Sequence, residues 1–159
     1  MPRHSAGILV YRSRPQATEV LLGHPGGPFW RAKDLGAWSI FKGEMNEGEG
    51  PEAAARREFA EETGWTAAAI LEPLGDVRQA GGKIVSAFAM AGDYDPATVR
   101  GNGFDLEWPP RSGRIRTFPE IDRAAWFALP EARLKILAGQ APLLDRLAAR
   151  LAAAPPRAP

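Results

Sequence analysis

Hydrophobic and polar positions along this 159-residue chain follow two rhythms: short apolar runs broken by turn residues, and apolar residues recurring every three to four positions. Residues 5–12, SAGILVYR, form an apolar run closed by the turn-like SRPQ, which predicts a buried strand. Residues 19–23, EVLLG, predict its hairpin partner. Further short strands are predicted at 38–41, 114–118 and 124–129, and a hairpin over 75–79 and 83–91 turned at Gly81-Gly82. Residues 67–74 fit neither rhythm. The helical rhythm covers 130–137 and 141–153, where Leu143, Leu144, Leu147 and Leu151 make a stripe that reads as core packing. A third helix is predicted over 51–63, rich in Ala, Glu and Arg, with Pro51 suited to its first turn and Gly64 to its end. Residues 24–38 and 93–120 are punctuated by glycine and proline and are expected to be irregular.

Strands before, around and after a central helix, with further helices at the end, predict an α/β sandwich on a mixed β-sheet. One domain over residues 1–153 and a Pro-rich disordered tail at 154–159 are expected. The absence of cysteine excludes disulfides and thiolate metal sites and fits a reducing cytoplasm. The apolar run 6–11 is too short for a signal-peptide core or a membrane span, so no membrane association is expected. A net charge of +1 supplies no field to gather nucleic acid, so any recognition of phosphate must be local.

Candidate chemistry is concentrated in residues 43–65, GEMNEGEGPEAAARREFAEETGW. Glu58, Glu61 and Glu62 stand at i, i+3 and i+4, on one helix face within reach of a common point. Like charges at those spacings cost a helix roughly 0.2–0.5 kcal/mol per pair, which a bound divalent cation would offset. A solvated acidic face is the plain alternative, and the surrounding frame decides against it. Phe59 turns away from the carboxylates toward a core. Arg57 stands four residues before Glu61, where an ion pair could brace one carboxylate.

That frame is Gly43, five residues, Glu49, seven residues, Arg57-Glu58-Phe59, one residue, Glu61-Glu62, one residue and Gly64-Trp65. It resembles the complete signature of the Nudix hydrolases. The resemblance implies a Nudix-type α/β/α sandwich and a pyrophosphohydrolase acting on acid anhydrides. It further implies Mg²⁺ or Mn²⁺ held by Gly43, Glu58, Glu61 and Glu62, with Arg57 bracing the acids and Glu49 as an outer member. Such an ion would polarise a phosphoryl oxygen and lower the pKa of bound water. The substrate class implied is a nucleoside diphosphate linked to a further group, cleaved to a nucleoside monophosphate. Glu58 and Glu62 are equal candidates for the general base, and Glu120 resembles the distant acid that some members place in a loop.

Within the family, residues 38–43, WSIFKG, resemble the WxxPKG run of diadenosine polyphosphate hydrolases, with Phe41 in place of proline. Lys42 would then contact a phosphate. The tyrosine such enzymes carry after the signature is missing from residues 73–88. Oxidised nucleoside triphosphates, ADP-ribose, nucleotide sugars or a non-catalytic nucleotide-sensing role stand as alternatives. Whatever the substrate, Arg31, Lys33, Arg111, Arg114 and Arg116 are candidate phosphate contacts and Trp30 a candidate stacking surface. His24 is expected to make a structural hydrogen bond. The partner expected is therefore a small-molecule nucleotide and not a nucleic acid or a membrane; the sequence sets no oligomeric state.

Overall fold

The computed structural model describes residues 3–153, so the tail expected at 154–159 lies outside the described residues. Eight strands and three α-helices follow one another as β1 (His4–Arg14), β2 (Ala17–Pro25), β3 (Phe41–Glu44), α1 (Pro51–Thr63), β4 (Glu72–Arg78), β5 (Ile84–Ala91), β6 (Gly103–Glu107), β7 (Ile115–Pro119), β8 (Ile121–Ala128), α2 (Leu129–Lys135) and α3 (Ala141–Ala153). Six of the strands form a mixed sheet in the order β4-β5-β1-β2-β8, with β3 on β1. The expected sandwich on a mixed sheet is the observed one: β1 runs parallel to β5 and antiparallel to β2 and β3.

One edge of β1 is shared between two partners. Its first half pairs with β3, from Ser5↔Glu44 to Ile8↔Phe41, and its second half pairs with β2, from Val10↔Leu21 to Arg14↔Ala17. The sheet therefore forks beside β1. Side chains alternate across it as a pleated strand requires. Ala6, Ile8 and Val10 join Phe41, Phe88 and Met90 under Ala54, Ala55 and Phe59 of α1. Leu9 joins Val20, Leu22 and Val85 under Ala132 of α2 and Leu143, Leu144 and Leu147 of α3. The leucine stripe is core, with Leu151 packed at its margin.

Helix α1 is bounded as its sequence demands. Pro51 opens it, and Gly64 ends it at φ 78°, ψ 0°, its N–H donating to the Ala60 carbonyl at 2.8 Å. Small Ala54 and Ala55, fully buried, let the helix lie close on the sheet, while the remaining positions keep their charges.

Some boundaries differ from the expectations. The strand expected at 38–41 begins only at Phe41; Trp38 and Ser39 enter isolated bridges, Ser39 exchanging both backbone hydrogen bonds with Gly23 at 2.9 Å. The strand expected at 75–79 starts at Glu72 and absorbs a bulge between Pro73 and Gly75. Residues 93–120 are less irregular than their Pro and Gly content implied, because β6 and β7 pair there as a separate hairpin, with Pro109, Pro110 and Gly113 confined to its tip.

Candidate active site

Arg57 sits at the centre of the charged face of α1. Its Nε and Nη2 donate to the two carboxylate oxygens of Glu49, both at 2.8 Å. Its Nη1 donates to Glu58 at 2.7 Å and to Glu61 at 3.1 Å, and Nη2 also reaches the Glu44 carbonyl at 3.0 Å. The i, i+4 pair with Glu61 was legible from spacing; the fork that holds Glu49 was not, because it closes across the loop ahead of the helix. Arg57 thereby ties the three acids and the end of β3 into one rigid cluster.

Glu62 lies one residue round the helix and points the other way, into the protein. Its carboxylate is buried and accepts the Lys42 backbone N–H at 2.6 Å. Gly43 follows. A Cβ at that position would overlap the Glu58 carboxylate, so glycine is required there for β3 and α1 to approach as closely as they do. The last turn of α1 is held by the following loop: Arg100 N–H donates to the Thr63 carbonyl and Asn102 N–H to that of Glu61, both at 2.8 Å. The Asn102 carbonyl in turn accepts from Glu120 N–H at 3.0 Å, which places Glu120 across from the helix.

These groups line one cleft of about 670 Å³, set in the fork between β3 and the ends of β2 and β8. Of the residues singled out from sequence, Lys42, Gly43, Glu58, Glu61, Glu62, Glu120 and Trp30 line it. Arg31, Lys33 and Arg114 do not, and Lys33 instead holds its ammonium 4.9 Å above the Trp30 ring. His24 is fully buried; its Nε2–H donates to the Lys33 carbonyl at 2.6 Å and Nδ1 contacts Asp122 at 2.9 Å, the structural role expected of it. Sequence reasoning missed Lys83, Asn102, Phe29 and Phe104, all in the lining. Lys83 follows the Gly81-Gly82 turn, which was the available signal for a loop cation; Phe104 carried no signal, since its strand was not foreseen.

Residues 1–147 match the family described as NUDIX domain. The chain belongs to the Nudix family. A curated relative in Myxococcus xanthus, named octanoyltransferase, is 31% identical over 131 residues, which are 82% of this chain and 32% of that protein. The chain thus spans about a third of that relative's length. Among solved structures, the Ap4A hydrolase of C. elegans is 23% identical with a TM-score of 0.63, covering 95% of this chain and 99% of that one. The NUDIX domain of Shewanella oneidensis NrtR, solved with ADP ribose, is 17% identical with a TM-score of 0.64, covering 95% and 89%. These likenesses are of fold.

The electrostatics of this Nudix cleft are unbalanced. Burial, reinforced by Glu120 and Glu58, pushes the Glu62 carboxyl up to about 8, against the opposing pull of the Lys42 N–H. Burial and the charges of Glu58 and Glu61 likewise raise Glu120. Burial lowers the Lys42 ammonium, and the neighbouring Lys83 lowers it further. Arg57 holds Glu49 down at about 2. Among the described residues, no three His, Cys, Asp or Glu side chains converge tightly enough to enclose an ion as they stand, because Glu58 and Glu61 lean on Arg57 while Glu62 leans on Lys42 N–H. The donor set nevertheless fits a hard divalent cation: it is all oxygen, it faces a cleft, and burial raises one of its members, Glu62, so that it retains a proton a cation would displace.

Proposed function

We propose that this Nudix protein hydrolyses a phosphoanhydride bond in a nucleoside diphosphate linked to a further group, with a divalent cation, and releases a nucleoside monophosphate. The observation that carries the reading is the meeting in one cleft of Glu58, Glu61 and Glu62 from α1, Glu120 opposite them, and the side chains of Lys42 and Lys83. Bare carboxylates repel a polyphosphate, so acids and lysines side by side make chemical sense when a cation stands between acid and substrate. Mg²⁺ or Mn²⁺, when bound, offsets the phosphate charge and polarises the bond under attack.

The residues that would hold the ion are Gly43, Glu58, Glu61 and Glu62. Lys42 and Lys83 orient phosphate oxygens, and Arg57 fixes the directions of Glu58 and Glu61. Water attacks phosphorus, the new P–O bond forms as the anhydride P–O bond breaks, and the water proton passes to a carboxylate. We assign that proton to Glu120. Its carboxylate has no hydrogen-bond or ion-pair partner among the described residues, and burial beside Glu58 and Glu61 raises its proton affinity toward the working pH. Glu58 and Glu62 are the competing bases.

Among such substrates we favour a diadenosine polyphosphate, because residues 38–43 resemble the run found in those hydrolases and Lys42 of that run lines the cleft. A reducing cytoplasm is the compartment we propose, with which the cysteine-free composition is compatible. The test is a hydrolysis screen with and without Mg²⁺ over diadenosine polyphosphates, ADP-ribose, nucleotide sugars and oxidised nucleoside triphosphates, with products identified. Metal-dependent turnover that falls by two to four orders of magnitude in Glu120→Gln and Glu62→Gln is the expected result. Turnover unchanged in both variants would sink the site assignment, and binding of a nucleotide without turnover would make the protein a sensor.

A further inference from the structure

Gln140 is a buried amide with all of its hydrogen-bonding groups in use. It closes the single 3-10 turn Ala138–Gln140 between α2 and α3 and exposes none of its surface. Its Oε1 accepts the Ile40 N–H at 3.0 Å, and its Nε2 donates to Ser39 Oγ at 2.9 Å and to Gln79 Oε1 at 2.8 Å. A backbone N–H can only donate, so the Ile40 bond fixes which way the amide faces. Satisfying that N–H takes only an acceptor. The two donated bonds do something further: they join two separate pieces of chain.

Those pieces carry the two lysines of the cleft. Ser39 and Ile40 lead into Lys42, and all three line it. Gln79 opens the turn to Lys83; its N–H donates to the Lys83 carbonyl at 2.7 Å, and its own carbonyl accepts from Gly82 N–H at 3.1 Å. The ladders of β1 stop short of both places. Pairing with β3 ends at Phe41 and pairing with β5 begins at Ile84, so Ile40 and Lys83 each lie just beyond a ladder. Gly81 and Gly82, both at φ 81°, bring no side chain to hold the turn. Neighbouring ammonium groups repel, so the lysines do not hold each other. The turn that bears Gln140 is pressed against this end of β4, because a Cβ on Gly139 would stand 3.0 Å from the Gln79 Cα.

We propose that Gln140 is a positioning residue for phosphate binding: through Gln79 on one side and Ile40 on the other, it sets the spacing of Lys83 from Lys42. The inference rests on the reading above in which both lysines orient phosphate oxygens, and it names what holds them for that task. Gln140 does not itself line the cleft. Oxygens on adjacent phosphorus atoms stand at a fixed spacing, so two cations engage them together best when their own spacing is set beforehand.

The test uses methylenediphosphonate, an inert pyrophosphate analogue, in the presence of Mg²⁺, and Mg²⁺ alone, with binding measured by calorimetry on the full chain. Gln140→Met keeps the volume and removes all three bonds. Gln79→Ala, at a half-buried residue, removes only the bond that reaches the Lys83 turn and leaves Ile40 and Ser39 held; it decides the question by itself if Gln140→Met does not fold. The expected result is a loss of methylenediphosphonate affinity of about tenfold in Lys83→Met and about three- to tenfold in Gln79→Ala and Gln140→Met, with Mg²⁺ alone bound within twofold of wild type. Adding Gln79→Ala to Lys83→Met should cost nothing further, since no lysine is left to place; a residue that only supports the fold would show losses that multiply. Undiminished affinity in Gln79→Ala, multiplying losses in the double variant, or a parallel loss of Mg²⁺ binding would each overturn the assignment. Full affinity in Lys83→Met, or no binding by the wild-type chain, would overturn it together with the phosphate role of the lysines, so the two failures are told apart.

Discussion

Glu62 is a buried carboxyl in the cleft, and its proton reports on the cleft. In the unfolded chain it titrates near 4.5 and in the folded chain near 8. Below the first value it is neutral in both states; between the two, the unfolded chain has released a proton that the folded chain retains. Stability contributed by the neutral carboxyl is therefore full at acid pH and is lost as pH rises through 8. With metal removed, Glu62→Gln is expected to be more stable than wild type by an amount that grows from pH 5 to 8 and reaches on the order of 2–4 kcal/mol, read from denaturant midpoints. Mg²⁺ reverses the order, because a ligand carboxylate must be ionised. Wild-type binding of Mg²⁺ at pH 7 should then release a proton, seen as a heat that depends on the buffer's ionisation enthalpy and that is smaller in Glu62→Gln. Arg57 gives a second expectation at this scale. A lysine cannot make the two parallel bonds to Glu49 and still reach Glu58 and Glu61. Arg57→Lys should lower kcat by about 10–100-fold and raise the Mg²⁺ concentration needed for half-activity, with the melting temperature little changed.

At the scale of elements, α1 is the piece whose geometry the site borrows. Its end is set by Gly64 at φ 78°, a conformation that costs a residue with a Cβ about 1–2 kcal/mol, and a Cβ there would also crowd the Arg100 carbonyl. Gly64→Ala should therefore lower stability by about 1–3 kcal/mol and loosen the loop whose Arg100 and Asn102 N–H groups hold the last turn, measurable as faster amide exchange at those two positions. This helix was legible in the sequence because all its determinants are local: Pro51, the Ala-rich interior, the Gly64 stop and the i, i+4 spacing. So were β1, β5 and α3, whose apolar runs are long enough to declare themselves. Of the β6–β7 hairpin only β7 was, as the strand expected at 114–118; β6 and the pairing were not. Its strands are five residues each and packed on one face only, and Pro109, Pro110 and Gly113 at the tip read as loop. The same cause hid Phe104, and the Arg57–Glu49 fork and the Lys42 N–H to Glu62 bond were hidden because each needs the tertiary approach of β3 to α1. Arg31, Lys33 and Arg114 were chosen by charge alone, and charge does not say which way a loop faces.

At the scale of the molecule, the sheet divides the interior into two cores with different relations to the cleft. The core under α3 is built from Leu143, Leu144 and Leu147 against Leu74, Val77 and Val85, and backs the sheet on the face away from α1. The core under α1 contains Phe59, whose neighbour Glu58 is a site residue, and Phe41, two residues before Gly43; the two rings meet edge to face at 5.7 Å. Deleting either kind of side chain leaves a cavity, costing about 2–5 kcal/mol for Leu147→Ala and 3–5 kcal/mol for Phe59→Ala. The costs overlap, but the functional consequences should not. The core of Leu147 meets the cleft at Trp30, Ala37 and Ile40 and contains none of the glutamates, whereas Phe59 fixes the rotation of α1 about its axis and with it the directions of Glu58, Glu61 and Glu62. Measured at a temperature where both variants are fully folded, Leu147→Ala should keep kcat within about twofold of wild type, and Phe59→Ala should lose about a hundredfold, as expected when a catalytic group shifts by an ångström. Equal losses in the two variants would mean that the cleft depends on overall stability and that the division of the cores has no bearing on catalysis.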